Sequence, residues 1–219
     1  MAAYEKVMSG LPALDQALDY IRMGDNVVWR VSSLDEFRLF SDPFVEQAKK
    51  DGRRIIYFRF ANHPELVAEC PEVKRICIPL SHRFETFTVD IHRIIEQEGR
   101  EAFYIFDCLS ELQTAWATDL MMGNFFRVTC PFLFILDTVA FFPLSADAIP
   151  SARLPRSTIQ HSCFWMFIRI PAMKRSISVR RRSGNGIPTP CFCRTCSIRQ
   201  RGRYSPFRTA FRPAAFIRS

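Results

Sequence analysis

Three polar side chains lie where many α/β proteins bind phosphate. Ser33, Asp35 and Glu36 follow residues 26–31, an apolar, β-branched run that predicts a buried strand. A nucleotide-binding turn at this point is rich in glycine and carries a lysine, and its backbone N–H groups hold the phosphates. Residues 25–48 contain neither glycine nor lysine. The groups that bind phosphate are therefore missing where the spacing would place them.

Ser33 and Glu36 have the Ser-x-x-Glu spacing of a capping box, in which side chains accept hydrogen bonds from backbone N–H groups at the start of a helix. Asp35 adds a second carboxylate to the first turn, where the helix dipole is positive. These side chains neutralise a helix end that would otherwise attract an anion. Two interpretations stay open: a degenerate phosphate-loop position filled by protein, or a capped helix that never bound a nucleotide.

Asp107 is the second candidate for chemistry. It ends the apolar run 102–106, and α/β folds place ligand-facing groups at the carboxyl ends of strands. A carboxylate there can hold Mg²⁺ when a lysine and a hydroxyl complete the site. Because the sequence does not supply that pair at the expected place, we favour a structural role, in which Asp107 caps the helix that begins near Leu109.

No residue is predicted to be catalytic. Ser110 lacks the Gly-x-Ser-x-Gly context of a hydrolase nucleophile. His63, His82 and His92 show no acid–base pairing in the sequence, and His92 is expected on the surface of its helix beside Arg93.

Metal binding is not predicted either. Cys191, Cys193 and Cys196 have a spacing at which thiolates can share an ion, but a tetrahedral site needs a fourth ligand. The nearest histidine, His161, lies far upstream in an unpatterned stretch. The other cysteines have no framework spacing, which indicates reduced, mostly buried thiols.

Alternating strands and helices must position these residues. The strand, helix, strand order of residues 26–58 predicts a βαβ unit with parallel strands. Pro131 predicts a kink or break in the helical region before the last strand. Strands separated by helices make residues 1–145 a three-layer α/β domain with a mostly parallel sheet. The predicted strands are residues 26–31, 54–58, 73–78, 102–107 and 138–142.

Charge is divided unequally along the chain. Residues 1–145 carry 15 basic and 21 acidic side chains, whereas residues 146–219 carry 15 basic side chains and one acid. We therefore divide the sequence near Ser145 into an α/β domain and an irregular basic tail. The start of the chain lacks the pattern of a signal peptide, and charges interrupt the apolar residues 125–144, so we expect a cytoplasmic protein without a membrane partner.

Several of these elements resemble known proteins. Residues 9–15, 24–25 and 50–58 are similar to the entry of RecA-like ATPases of the KaiC type, and residues 103–110 resemble their Walker B strand and the turn after it. A closer resemblance is to the amino-terminal module of certain bacterial pyruvate, phosphate dikinase or phosphoenolpyruvate (PEP) synthase-like proteins, which looks like a degenerate KaiC domain. The runs that carry it are GDNVVW, RRIIYFRFANHPEL, AFYIFDCLSEL, DLMMGNFF and LDTVAFF.

The resemblance implies a RecA/KaiC-like fold of the P-loop type with a degenerate phosphate loop and Asp107 as its Walker B-like acid. It also implies a non-catalytic regulatory or interaction module without a cofactor, whose partner is another protein or a fused PEP/pyruvate-binding domain. Phosphotransferase activity would then come from that absent domain. The alternative is a kinase-type component that itself binds ATP and Mg²⁺ weakly.

The basic tail has two interpretations. A disordered arm could bind nucleic acid through residues 180–182 and 201–208, although its arginines lack regular aromatic interleaving. A shifted reading frame, which we favour, would explain the loss of leucine, the missing acids and the excess of arginine together. Regrouping the degenerate codons of residues 182–197 by one base permits a sequence similar to the continuation of the dikinase-like module.

Overall fold

A computed structural model describes residues 5–80, 83–116, 119–145, 165–169, 176–182, 193–199 and 208–210. Its elements, in chain order, are β1 (Lys6–Val7), α1 (Pro12–Leu18), β2 (Ile21–Arg22), β3 (Asn26–Val31), α2 (Leu34–Lys50), β4 (Ile55–Arg59), β5 (Val73–Cys77), α3 (Phe84–Glu98), β6 (Phe103–Phe106), α4 (Ser110–Trp116), α5 (Asp119–Ile135), β7 (Val139–Ser145), β8 (Trp165–Arg169), β9 (Ser176–Arg182), β10 (Cys193–Arg199) and β11 (Arg208–Ala210).

One large sheet organises the fold. Its strand order is β11-β10-β9-β8-β3-β7-β6-β4-β5, and all neighbours from β8 to β5 are parallel. The five predicted strands are thus confirmed as parallel neighbours. Strands β3 and β4 are separated by β7 and β6, so the predicted βαβ unit is a long crossover that passes over two strands.

Helices cover both faces of this sheet. On one face α2 buries Phe37, Phe40 and Phe44 against alternate residues of β3, β6 and β7. On the other face α3, α4 and α5 enclose a second apolar cluster with the remaining residues of these strands. The strands read as continuous apolar runs because both of their faces are buried. The structure is therefore a mixed α/β fold with a parallel sheet flanked by helices, which is compatible with the predicted three-layer α/β domain.

Aromatic rings fill the space beneath α2. Phe44 stacks on Phe141 of β7 with ring centroids 4.2 Å apart, and on Phe103 of β6 with centroids 5.2 Å apart. Trp29 packs against Phe40 at 4.7 Å between centroids. Such pairs add to the free energy gained by burying their apolar area, so these contacts fix the position of α2 on the sheet.

The segment that leads into α1 is held by a tight turn. The Ser9 backbone N–H donates to the Asp15 carboxylate at 2.8 Å. Gly10 has a φ of 78°, and a Cβ there would lie 2.2 Å from the carbonyl oxygen of Pro43 in α2. Only glycine permits both this backbone conformation and this close approach.

Two expectations about the fold differ from the structure. Of the kink or break expected at Pro131, the break is absent, because helix α5 continues through this residue. Proline removes one helical hydrogen bond, which leaves the carbonyl of Arg127 without its donor, but Arg127 lies on the exposed side of the helix, where water can replace that donor.

The second difference concerns the basic tail, which was expected to be irregular. The structure describes four strands in it: β8 extends the sheet parallel to β3, and β9, β10 and β11 follow in antiparallel order. Backbone pairing needs only N–H and C=O groups, so strands can form without the side-chain periodicity by which a sequence predicts them.

Replacing Phe44 by alanine is expected to lower the free energy of unfolding by about 3–5 kcal/mol, because it leaves a cavity under α2. The matched control is Leu39→Ala on the same helix, whose side chain is 60% exposed, and which should change stability by less than about 0.5 kcal/mol. Urea titration of the two variants would measure the difference. Equal losses would contradict the packing described for α2.

Candidate functional site

The start of α2 is closed by its own side chains. Ser33 is the N-cap residue, and its Oγ accepts a hydrogen bond from the Glu36 backbone N–H at 3.3 Å. The Glu36 carboxylate accepts from the backbone N–H of Ser32 at 3.0 Å, one residue earlier than in the usual capping box. The predicted capping is therefore present in a slightly shifted form, and it occupies donors that a phosphate would need.

Asp35 takes no part in the cap and is exposed. It lines a cleft of about 260 Å³ between the first turn of α2 and the loop after β4, with Leu34, Arg38, Pro64, Glu65 and Leu66. Glu65 is itself paired with Arg75 at 3.0 Å. Charges of both signs therefore surround the cleft, and Asp35 adds a negative charge beside the first turn of α2.

Asp107 lies at the same edge of the sheet as Ser33. Asp107 directly follows β6, Ser33 is two residues after the end of β3, and these parallel strands end at the same edge. Strand β7 separates β3 from β6, and the strand registers place Asp107 level with Trp29 of β3, four residues before Ser33. The structure therefore brings the two predicted parts of a nucleotide site to one edge without contact between them.

The Asp107 carboxylate is fully buried and accepts four hydrogen bonds. One oxygen binds the guanidinium of Arg59 at 2.6 Å and the backbone N–H groups of Phe60 and Ala61, each at 2.9 Å. The other oxygen accepts from the Tyr57 hydroxyl. All four donors belong to β4 or the loop after it. The prediction that Asp107 caps the following helix is therefore wrong, because the neighbouring strand supplies its partners.

The loop after β4 is held through these bonds. The Tyr57 hydroxyl also accepts from the backbone N–H of Leu66 at 3.0 Å, and Arg59 donates to the carbonyl of His63. Burial, and next the charge of Asp107, raise the pKa of Tyr57 above its ordinary value. Tyr57 consequently stays protonated and keeps donating to the carboxylate.

His63 is fixed beside this group. Its Nδ1 faces the Pro64 carbonyl at 2.7 Å, and its Nε2 accepts from the Cys108 backbone N–H at 3.1 Å. These contacts place the ring proton on Nδ1. The Nε2 atom is 3.9 Å from the Asp107 carboxylate. The sequence showed no partner for His63, because that partner is 44 positions later in the chain.

The nucleophiles next to this group are engaged or inert, whereas the free Cys77 is exposed and Cys70 is half-buried. The Ser110 Oγ accepts from the backbone N–H of Ser145 at 2.9 Å. Burial raises the pKa of the Cys108 thiol, which disfavours a reactive thiolate. The arrangement is suited to fixing a loop against the sheet, since the four hydrogen bonds at Asp107 use about as many lone pairs as a carboxylate offers.

Tyr57, Arg59 and His63 were not predicted as partners of Asp107. The feature of the sequence that could have indicated these partners is that β4 and β6 are both strands of the predicted parallel sheet. The carboxyl ends of such strands lie at one edge of the sheet. What the sequence did not provide was the strand order that makes β4 the neighbour of β6.

His92 was expected on the surface, and this expectation is wrong. The ring lies between α3 and α5, where Nε2 is 3.0 Å from the Thr129 hydroxyl and the ring centroid is 5.1 Å from that of Phe132. Burial lowers the pKa of His92 below its ordinary value. His82 lies outside the described residues.

Within the described residues, no group of three or more His, Cys, Asp or Glu side chains could hold a metal ion. Cys191 and His161, together with the side chains of Cys193 and Cys196, lie outside that description. No helix in the described part of the chain has the length and apolarity needed to cross a bilayer.

Changing Asp107 to asparagine is expected to lower the free energy of unfolding by about 3 kcal/mol, because it leaves the half-buried Arg59 guanidinium without its counter-charge. Asp90→Asn is the matched control: it removes the negative charge of an ion pair with the exposed Arg93 on α3 and should cost less than about 1 kcal/mol. Denaturant unfolding of the two proteins would compare them. Similar losses would show that Asp107 is not a structural centre.

The half-buried position of His92 also predicts a pH dependence of stability. Because its pKa is lower in the folded than in the unfolded protein, the stabilisation it gives is complete above the ordinary value of 6.5 and is lost as pH falls through the folded pKa. His92→Gln should therefore flatten the fall in stability below pH 6.5. Thermal melts across that range would test this, and an unchanged pH profile would contradict it.

Comparison with known proteins adds no relative: no protein-family model matches this chain, and no curated protein is significantly similar to it.

Proposed function

We propose that residues 1–145 are a non-catalytic regulatory or interaction module of a pyruvate, phosphate dikinase or PEP synthase-like protein. In this proposal the module has a RecA/KaiC-like fold whose nucleotide site is filled by the protein's own side chains. The sequence runs quoted above suggest the family, and the parallel sheet between two helical layers is compatible with such a fold.

The saturation of Asp107 carries the proposal. A Walker B-like acid that served a nucleotide would have to offer oxygen lone pairs toward Mg²⁺ or its water ligands. Here both oxygens of Asp107 bind donors of the same chain, and one of these donors is the positively charged Arg59. A cation approaching this carboxylate would meet the guanidinium and would have to displace existing hydrogen bonds.

The start of α2 supports the same conclusion. In a working phosphate loop, free N–H groups and a lysine receive the phosphates. In this chain the Ser33 hydroxyl and the Glu36 carboxylate already accept from N–H groups of Glu36 and Ser32. The exposed Asp35 adds repulsion toward a triphosphate, because two carboxylates then lie within the first turn of the helix.

The proposed module acts through contact with a protein partner or a fused PEP/pyruvate-binding domain, in the cytoplasm. Phosphoryl transfer in this proposal belongs to that other domain. The module itself contributes a rigid surface, since the loop that would have covered a nucleotide is tied to the sheet through Tyr57 and Asp107.

Titration of the purified full chain with ATP and Mg²⁺ by calorimetry is expected to give no saturable heat. The alternative, a weakly ATP-binding phosphotransferase component, requires saturable binding that disappears in Asp107→Asn and survives in the surface control Asp90→Asn. That pattern would overturn the proposal. Both variants should be checked by circular dichroism, because Asp107→Asn is expected to lower stability.

A further inference from the structure

The outward face of the α3–α5 layer exposes an unusual amount of apolar surface. Among the described residues, five large hydrophobic side chains are exposed, and three of them are on these two helices: Val89 on α3, at 63%, and Val128 and Ile135 on α5, at 45% and 64%. The other two, Met8 and Leu39, lie on different elements. Apolar exposure concentrated on one face, and not scattered singly, indicates an interaction surface.

Helix α5 is apolar on both of its sides. Its inner side packs on the sheet through Phe126 and Leu133. Its outer side carries the exposed Val128 and Ile135, which are seven residues apart and so lie on one stripe along the helix. Met121, seven residues before Val128, is partly buried against the core. A helix that is hydrophobic all round is normally covered on all sides.

Helix α2, on the opposite face of the sheet, provides the comparison. Its outward positions carry Asp35, Asp42, Glu46 and Lys50, which suit contact with water. Of the 17 residues of α5, only Asp119 and Arg127 are charged. The outer surface of α2 therefore suits contact with water, whereas the outer surface of α5 suits contact with apolar groups.

The charged side chains on the two margins of the stripe have opposite signs, so this surface is electrostatically complementary to the same surface of a second copy of the chain. On α3, Glu85 and Glu96 are both exposed. Glu85 is seven residues before His92 and Glu96 is four residues after it, so both lie on the same side of α3 as His92, which faces α5. On α5, Arg127 lies two positions from Thr129, which contacts α3, and therefore on the far side of the stripe. The surface is thus acidic along one margin of the stripe and basic along the other.

A two-fold axis running along the stripe would exchange these margins. The α3 helix of a partner copy would then lie over the Arg127 side of α5, which would bring Arg127 close to Glu85 of the partner at a similar height along the helix. Apolar stripe would meet apolar stripe, with opposite charges on both flanks. Such self-complementarity is what a symmetric interface requires.

The size of the face is sufficient for a modest dimer. With 15 and 17 residues, α3 and α5 are each about 22–26 Å long, and neighbouring helices pack about 10 Å apart. The two-helix face therefore covers roughly 500 Å² in projection, which is toward the lower end of specific interfaces that bury about 800 Å² per partner. A reversible dimer is expected from this area.

We propose that this chain forms a symmetric homodimer through the outer face of α3 and α5, with Val128 and Ile135 at its centre and Arg127 paired with Glu85 of the other copy. The surface is distant from the capped start of α2, which is on the opposite face of the sheet, and the proposal does not depend on the absence of nucleotide binding.

Sedimentation velocity of the full chain over a wide range of concentration would test it. The unaltered protein is expected to dimerise reversibly, and Val128→Glu or Ile135→Glu should raise the dissociation constant at least about tenfold by placing a charge in the apolar contact. Leu39→Glu introduces the same charge at an equally exposed site on α2 and should leave the dissociation constant unchanged. A monomer at every concentration, or equal effects of all three changes, would overturn the proposal.

Charge reversal tests the symmetry of the interface. Arg127→Glu alone should weaken the dimer, and combining it with Glu85→Arg should restore the association. Restoration would support the two-fold axis along α5, since Arg127 and Glu85 lie on opposite margins of one copy. If the double variant associates no better than the single one, the proposed pairing is wrong. Circular dichroism of each variant ensures that weakened association reflects the interface.

Discussion

A single buried carboxylate organises the carboxyl edge of the sheet. Burying a charge is costly unless it is paired and hydrogen-bonded, and Asp107 is both, because Arg59 supplies the positive charge and Tyr57 and two backbone N–H groups supply further donors. These bonds join β6 to β4 and fix the loop after β4, so that Leu66 is held beside the first turn of α2. The shape of the cleft depends on this one group.

The two helical layers pack on the same sheet but differ in the polarity of their outer sides. Aromatic stacking of Phe44 on Phe103 and Phe141 positions α2, while its outer side is charged and suits water. The α3–α5 layer is held by Phe87, Phe125 and the His92–Thr129 contact, and its outer side is apolar. The charged outer side of α2 suits contact with water, whereas the apolar outer side of α5 is suited to contact with another protein surface.

Local sequence patterns predicted much of this architecture. The runs 26–31, 54–58 and 102–107 are recognisable because parallel strands buried on both faces are continuously apolar. The cap at Ser33 and Glu36 was predictable because capping is an interaction within one turn. The structure differed from the predictions where the surroundings of a residue decide its conformation or burial. His92 is partly covered by α5, which is distant in sequence. At Pro131 water can replace the missing hydrogen-bond donor, and the tail strands pair through their backbone groups.

The sequence by itself determined the strands, the capped helix and the lack of glycine and lysine in residues 25–48, because each of these depends on the side chains of neighbouring residues. Only the tertiary structure decided what Asp107 does. The strand order places β4 beside β6, and this alone brings Tyr57 and Arg59, about fifty positions earlier in the chain, within hydrogen-bonding distance of the carboxylate. Local propensity carries no information about which strands become neighbours, since that choice depends on how the whole set of apolar surfaces is buried together.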